Sequence, residues 1–220
     1  MTIELSRQSF LRLATASTAL FFIPRVRADD SLEELKHMLF NDPESPTAGN
    51  SNGNLTIIDF FDYNCPFCKA TAPHLERIVR SDGNIRVVYK DWPILEETSI
   101  SGARLALAAK YQGKYLAAHE AMMNIPGTGV AVEKMLAAIR KTDVDIDRLN
   151  QDMKINASAI DALIKRNLEQ ADAIGLQGTP GFLVGKFRVN QALTYEGFQH
   201  VVADAREAAA KEPNRREEHR

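Results

Sequence analysis

The chain of 220 residues contains two cysteines, and they stand two residues apart in Cys65-Pro66-Phe67-Cys68, directly behind the strand-like run Leu55 to Phe61. A disulfide across so short a spacing closes a very small loop, removes little unfolded-chain entropy and makes a poor structural staple. Redox exchange is the better use of such a pair. A cysteine at a strand-to-helix turn has its sulfur near unpaired backbone amides and the positive end of the helix dipole, which favour a thiolate. Cys65 holds that position. Pro66 suits the first helical residue, where its fixed φ is preset and its missing amide is no loss. Cys68 falls one turn further in, close enough to attack a mixed disulfide on Cys65 and less accessible. Cys65 is therefore the expected nucleophile and Cys68 the resolving thiol.

Zinc is the competing use of a CxxC, but a structural zinc needs two more Cys or His ligands at similar spacing. His37, His74, His119, His200 and His219 are scattered. Neither a metal nor a dissociable cofactor is expected; the redox group is the Cys65-Cys68 disulfide itself.

Asp59 interrupts the apolar run six residues before Cys65. An unpaired carboxylate there is costly and its pKa should rise, which lets it exchange a proton with Cys68, directly or through water. The alternatives are that Asp59 points to solvent at the strand edge or pairs with a lysine such as Lys90.

The N-terminus places Arg7 and Arg12 before the apolar stretch Leu13 to Ile23, followed by Val26-Arg27-Ala28 with its small residue at a cleavage position. This reads as a secretory signal over residues 1–28, the alternative being a buried core helix. The stretch is too short for a permanent span. Ser6 to Arg12 resembles a twin-arginine signal with Gln8 in place of the second arginine, so the export route stays open. Cutting after Ala28 takes four of the 27 basic and one of the 29 acidic residues, leaving 23 against 28 and a net charge of −5. Such a chain has no electrostatic reason to seek nucleic acid or anionic lipid.

Further on, residues 29–54 form a lead-in, a short helix over Ser31 to Phe40 followed by a loop, Asn41 to Asn54, dense in Pro, Gly, Asn and Ser. Residues 55–98 read as strand, helix and strand. Thr56 to Phe61 and Ile85 to Tyr89 are buried parallel strands, and the helix between them is expected to kink at Pro73. Residues 99–174 change to alanine-rich helix, clearest from Ser158 to Ile174 with Gly175 as its cap, and Met122-Met123 reads as core packing. Residues 175–210 return to a turn, a short strand, a hairpin partner over Lys186 to Val189 and a closing helix from Tyr195. Residues 211–220 read as a frayed tail.

The run Ile57 to Pro73, with its acid, its CxxC, Lys69 and Pro73, resembles the active-site segment of the thioredoxin superfamily. Thr179-Pro180 ahead of a strand resembles that superfamily's cis-proline loop, and its wide separation from the cysteines leaves room for the helical insertion of the DsbA-like branch. Within the branch, the lead-in from Asn41-Asp42-Pro43 to Gly53-Asn54, the segment Asp59 to Cys68, and Asp91-Trp92-Pro93 look most like the DsbA/Com1 group and the suppressor-of-copper-sensitivity C proteins. The resemblance implies an α/β thioredoxin fold with an inserted α-helical domain, a cis Pro180, contact of Thr179 with the sulfurs, and docking of client peptide along Thr179, Pro180, Pro66 and Phe67. It also implies an exported, periplasmic thiol-disulfide oxidoreductase that oxidises unfolded or partly folded clients and is recycled by a membrane redox partner. The strongest oxidants of that branch carry histidine where this chain has Phe67, so the thiol pKa is expected below the free value of roughly 8.5 but less depressed than theirs. The short N-terminal helix argues for a monomer. An isomerase or reductase of the same fold, or a redox-inert peptide-binding chaperone, are the competing readings.

Overall fold

A computed structural model describes residues 28–211; the signal sequence and most of the tail expected from the sequence lie outside the described residues. Five strands form one sheet in the order β1-β3-β2-β4-β5. At its centre β2 (Leu55–Phe61) and β3 (Ile85–Asp91) run parallel, with Asp59 opposite Tyr89 and Phe61 opposite Asp91. β4 (Gly181–Val184) pairs antiparallel with β2, and β5 (Phe187–Val189) with β4. Both central strands are buried almost throughout, as a continuous apolar run requires.

The helix that joins them, α2 (Pro66–Asp82), continues through Pro73 without a break and ends on Gly83 at φ 73°. The insertion is wholly helical: α3 (Glu97–Ala109), a 3-10 turn at Lys110–Gln112, α4 (Tyr115–Met123), α5 (Val132–Ile139), α6 (Ile146–Ile155) and α7 (Ala157–Ala173). Its alanines and Met122-Met123 pack into one core with α2 and the near face of the sheet. A smaller core on the far face gathers Ile58, Phe60, Val88 and Trp92 against Leu39 of α1 (Ala28–Asn41) and Ala171 of α7. The closing helix α8 (Tyr195–Lys211) is tied back by Arg206, which donates to both oxygens of Asp82 at 2.6 and 2.7 Å.

Helix ends shift by a few residues from the sequence reading, α1 starting at Ala28 rather than Ser31, and two differences concern the sheet. The segment expected as loop from Asn41 to Asn54 contains β1 (Thr47–Gly49), a three-residue edge strand antiparallel to β3. Three residues among prolines and glycines carry no legible period; long-range pairing makes the strand. β3 also runs two residues past Tyr89, which draws Lys90 and Asp91 into the sheet.

Candidate active site

Cys65 is the N-cap of α2 and Pro66 its first residue. The Cys65 sulfur accepts from the Cys68 amide at 3.2 Å, and the thiol donates to the Thr179 carbonyl at 3.3 Å. Both cysteines are free thiols. The bond to Thr179 O favours the neutral thiol, and several groups oppose it. The neighbouring Cys68 thiol is the largest influence on Cys65; the Thr179 side chain and the amides of Cys68 and Phe67 add to it, and together they outweigh burial and bring Cys65 down to about 6. For Cys68, burial first and the neighbouring Cys65 sulfur second push the thiol well above its ordinary value. At 2% and 3% exposed the two residues do not differ in surface area, but Cys68 sits in the more crowded surroundings of the two. Their electrostatic surroundings separate them further.

The Thr179-Pro180 peptide is cis. Its loop faces the head of α2, and a groove of about 430 Å³ runs along it, lined by Phe67, Gln177, Gly178, Thr179, Pro180 and residues 190–192. Phe67 is 64% exposed and Pro66 is exposed beside it. Four of the expected contact residues thus meet at one surface beside Cys65.

Asp59 is buried, and the two alternatives for it fail. It does not reach solvent at an edge, because β2 is the middle strand of the sheet. Nor does it pair with Lys90, which lies opposite Phe60 and so projects to the other face, where Nζ donates to Ser45 Oγ at 2.9 Å and the Met38 carbonyl at 3.3 Å. Burial, then Asp91, then Cys65 raise Asp59 to about 8. The charge on Asp59 is in turn one of the influences that raise Cys68.

Sequence reasoning missed the groups that hold the cysteine loop. Asp62, 1% exposed, accepts from the Asn64 amide and the Ser99 hydroxyl on one oxygen, each at 2.7 Å, and from the Ile94 and Leu95 amides on the other. Asn64 donates to Thr98 and Ser99 and accepts from the Val130 amide at 2.8 Å. Lys69 Nζ reaches the Gly127 carbonyl at 2.7 Å. The strand-to-helix turn is thereby bolted to the insertion. The Asp62-to-Asn64 turn is a local pattern a sequence can suggest; its distant partners are not. Among the described residues no group of three or more His, Cys, Asp or Glu could hold a metal ion. His119 is instead stacked on Tyr115, meets Phe61 and Tyr63 edge-on and Tyr89 at a tilt, shares a 3.1 Å hydrogen bond with Tyr63 OH, and is held neutral by burial.

Residues 41–204 match the family described as Thioredoxin. A thioredoxin-like oxidoreductase from Silicibacter pomeroyi DSS-3 is 38% identical, with a TM-score of 0.73 over 78% of this chain and 98% of that one. A periplasmic thioredoxin-like protein from Salmonella enterica serovar Typhimurium is 30% identical, with a TM-score of 0.66 over 78% and 95%. The thiol-disulfide exchange protein alpha-DsbA2 from Wolbachia pipientis is 26% identical, with a TM-score of 0.72 over 81% and 98%. Curated relatives are Na(+)/H(+) antiporters NhaA; that of Salinispora arenicola is 25% identical over 178 residues, which are 77% of this chain and 27% of the antiporter. The chain thus spans about a quarter of the length of the curated relatives it matches, and among the described residues no helix is long and apolar enough to cross a membrane. With its helical insertion between the two halves of the sheet, the chain belongs to the thioredoxin superfamily as a DsbA-like member, in a fold family of thiol-disulfide oxidoreductases.

Proposed function

We propose that the protein is an exported, periplasmic oxidase that passes the Cys65-Cys68 disulfide to unfolded or partly folded client proteins. The observation that carries this reading is the placement of Cys65 at the N-cap of α2, its sulfur accepting from the Cys68 amide at 3.2 Å beside the cis Thr179-Pro180 loop; the displacement of the two thiols, Cys65 down to about 6 and Cys68 upward, agrees with it. A stabilised Cys65 thiolate favours the reduced form, which makes the disulfide a better oxidant.

In the forward reaction a client thiolate attacks Cys65 Sγ. The Cys65–Cys68 bond breaks, and Cys68 leaves and takes a proton from the neutral carboxyl of Asp59. A second client thiolate then attacks the client sulfur of the mixed disulfide, expelling Cys65 as a thiolate. The client loses two electrons and the Cys65-Cys68 pair gains them. A membrane redox partner removes those electrons and restores the disulfide. Client backbone docks along Thr179 and Pro180, with Pro66 and Phe67 giving apolar contact. Export rests on the N-terminal signal pattern, with the periplasmic relative as support. Action as a monomer is supported by α1, whose Leu39 is buried on its own sheet and whose Phe40 carbonyl accepts from Arg86 at 3.0 Å.

The test is a glutathione equilibrium of the protein, read by alkylation of free thiols and mass, together with Cys68→Ser in the presence of reduced, unfolded client. A potential less negative than about −150 mV and client trapped on Cys65 are expected for an oxidase. A potential more negative than roughly −230 mV, or no trapped species, would contradict it.

A further inference from the structure

The face of the β2–β3 ladder behind Cys68 carries a second buried carboxyl. Asp91 ends β3 opposite Phe61, and Asp59 stands opposite Tyr89, so the two acids are diagonal neighbours on adjacent strands and share one face. Asp91 is 1% exposed. Its Oδ2 accepts from Tyr115 OH at 2.9 Å and its backbone carbonyl from Asn167 Nδ2 at 3.1 Å. Its Oδ1, like Asp59 Oδ1, is buried without a hydrogen-bond partner among the described residues.

Among the described residues, the groups packed around this pair provide no counter-ion. Cys65, Cys68, Asp62, Tyr63, Tyr89 and Tyr115 are acids or neutral. His119 on α4 is held neutral by burial and shares its Nδ1 with Tyr63. Lys69 is turned to the Gly127 carbonyl, and Lys90 lies on the opposite face. Glu76 and Glu120, which reach Tyr89 from α2 and α4, add further negative charge. Two carboxylates without a cation cannot both ionise cheaply in such a place.

We infer that Asp59 and Asp91 act as a pair holding a single proton, with Tyr115 fixing the negative charge on Asp91 and so keeping the proton on Asp59, where Cys68 takes it. Asp91 is a positioning residue that acts through Asp59. The proton moves from Asp59 Oδ to Cys68 Sγ as the Cys65–Cys68 bond breaks, and the pair regains it when Cys68 next gives up its thiol proton. The role of the pair in exchange rests on the oxidase chemistry proposed above; the sharing of the proton does not. The values of about 8 for Asp59 and about 7 for Asp91, each raised first by burial, agree in direction.

The test is a pH titration of the reduced full chain carrying 13C-labelled aspartate carboxyls. In the unmodified protein both resonances are expected to respond in two steps, because a coupled pair titrates as a unit. Asp91→Asn should weaken proton binding at Asp59 about tenfold, and Asp59→Asn should weaken it at Asp91 by the same factor, since coupling is reciprocal. Tyr115→Phe, which leaves both carboxyls in place, should lower the midpoint of Asp59 while raising that of Asp91. Independent single-step titrations in the unmodified protein would overturn the inference even if every variant failed to fold, and unequal shifts in the two Asn variants would reduce Asp91 to a structural role. The pH profile for release of Cys68 in single-turnover client oxidation is read on the same variants. If the carboxyl shifts occur and that profile does not follow Asp59, the pair stands and the proton-donor reading of Asp59 fails.

Discussion

The two faces of β3 bury charge in opposite ways. On the far face Lys90, fully buried, is surrounded by partners: it donates to Ser45 Oγ and the Met38 carbonyl, and nearby Asp42 is clasped by Arg166 at 2.9 Å. On the near face, one residue to either side, the sheet carries Tyr89 and Asp91 beside Asp59, and two carboxyls there have an oxygen with no partner. A satisfied buried charge fixes a geometry, here the docking of α1 and the lead-in on the sheet. An unsatisfied one keeps a proton exchangeable, and it sits behind the buried thiol. The same strand thus anchors the fold on one side and tunes chemistry on the other.

That contrast predicts how variants should divide. Cys65→Ser should abolish client oxidation, a loss of roughly a thousandfold or more in rate, with the melting transition of the reduced protein almost unmoved. Asp59→Asn should slow oxidation roughly ten- to a hundredfold while raising stability at pH 8 by on the order of 2 kcal/mol, read by urea denaturation. The sign follows from the raised pKa. Asp59 holds its proton in the folded chain up to about 8 but in the unfolded chain only to 3.8, so stability falls as pH rises through that window, and the variant should lose the slope. Lys90→Ala should reverse the pattern, costing about 3 kcal/mol of stability with client oxidation within about twofold of the parent. Equal damage to both readouts would show that the two faces are not separable. Asn64→Ala, at the bolt between cysteine loop and insertion, should cost about 1–2 kcal/mol and raise the apparent pKa of Cys65, measured by alkylation rate against pH.

The sequence exposes the near face unevenly. Asp59 stands out because an acid inside Thr56 to Phe61 violates an otherwise continuous apolar run. Asp91 does not, since the apolar run of β3 stops at Tyr89 and Lys90-Asp91 resembles an ordinary polar strand end; only the parallel register brings it beside Asp59. The CxxC could be placed at a strand-to-helix turn from Pro66 and the preceding run alone. Thr179-Pro180, 114 residues from Cys65, needed the family resemblance, because nothing local to Thr-Pro-Gly signals its contact with a sulfur. Asp62 and Asn64 were illegible for the same reason: their partners at residues 94–99 and 130 become neighbours only once the insertion has folded.

The asymmetry between the two thiols can be measured alone, by following thiolate absorbance in the ultraviolet on the reduced protein as pH is raised, with Cys68→Ser as the assignment control. The account predicts one thiol, Cys65, ionising with a midpoint near 6 and the second only far above it. A single transition for both near the free-cysteine value of roughly 8.5 would contradict it, since the site would then have no prepared nucleophile and no reason to favour its reduced form.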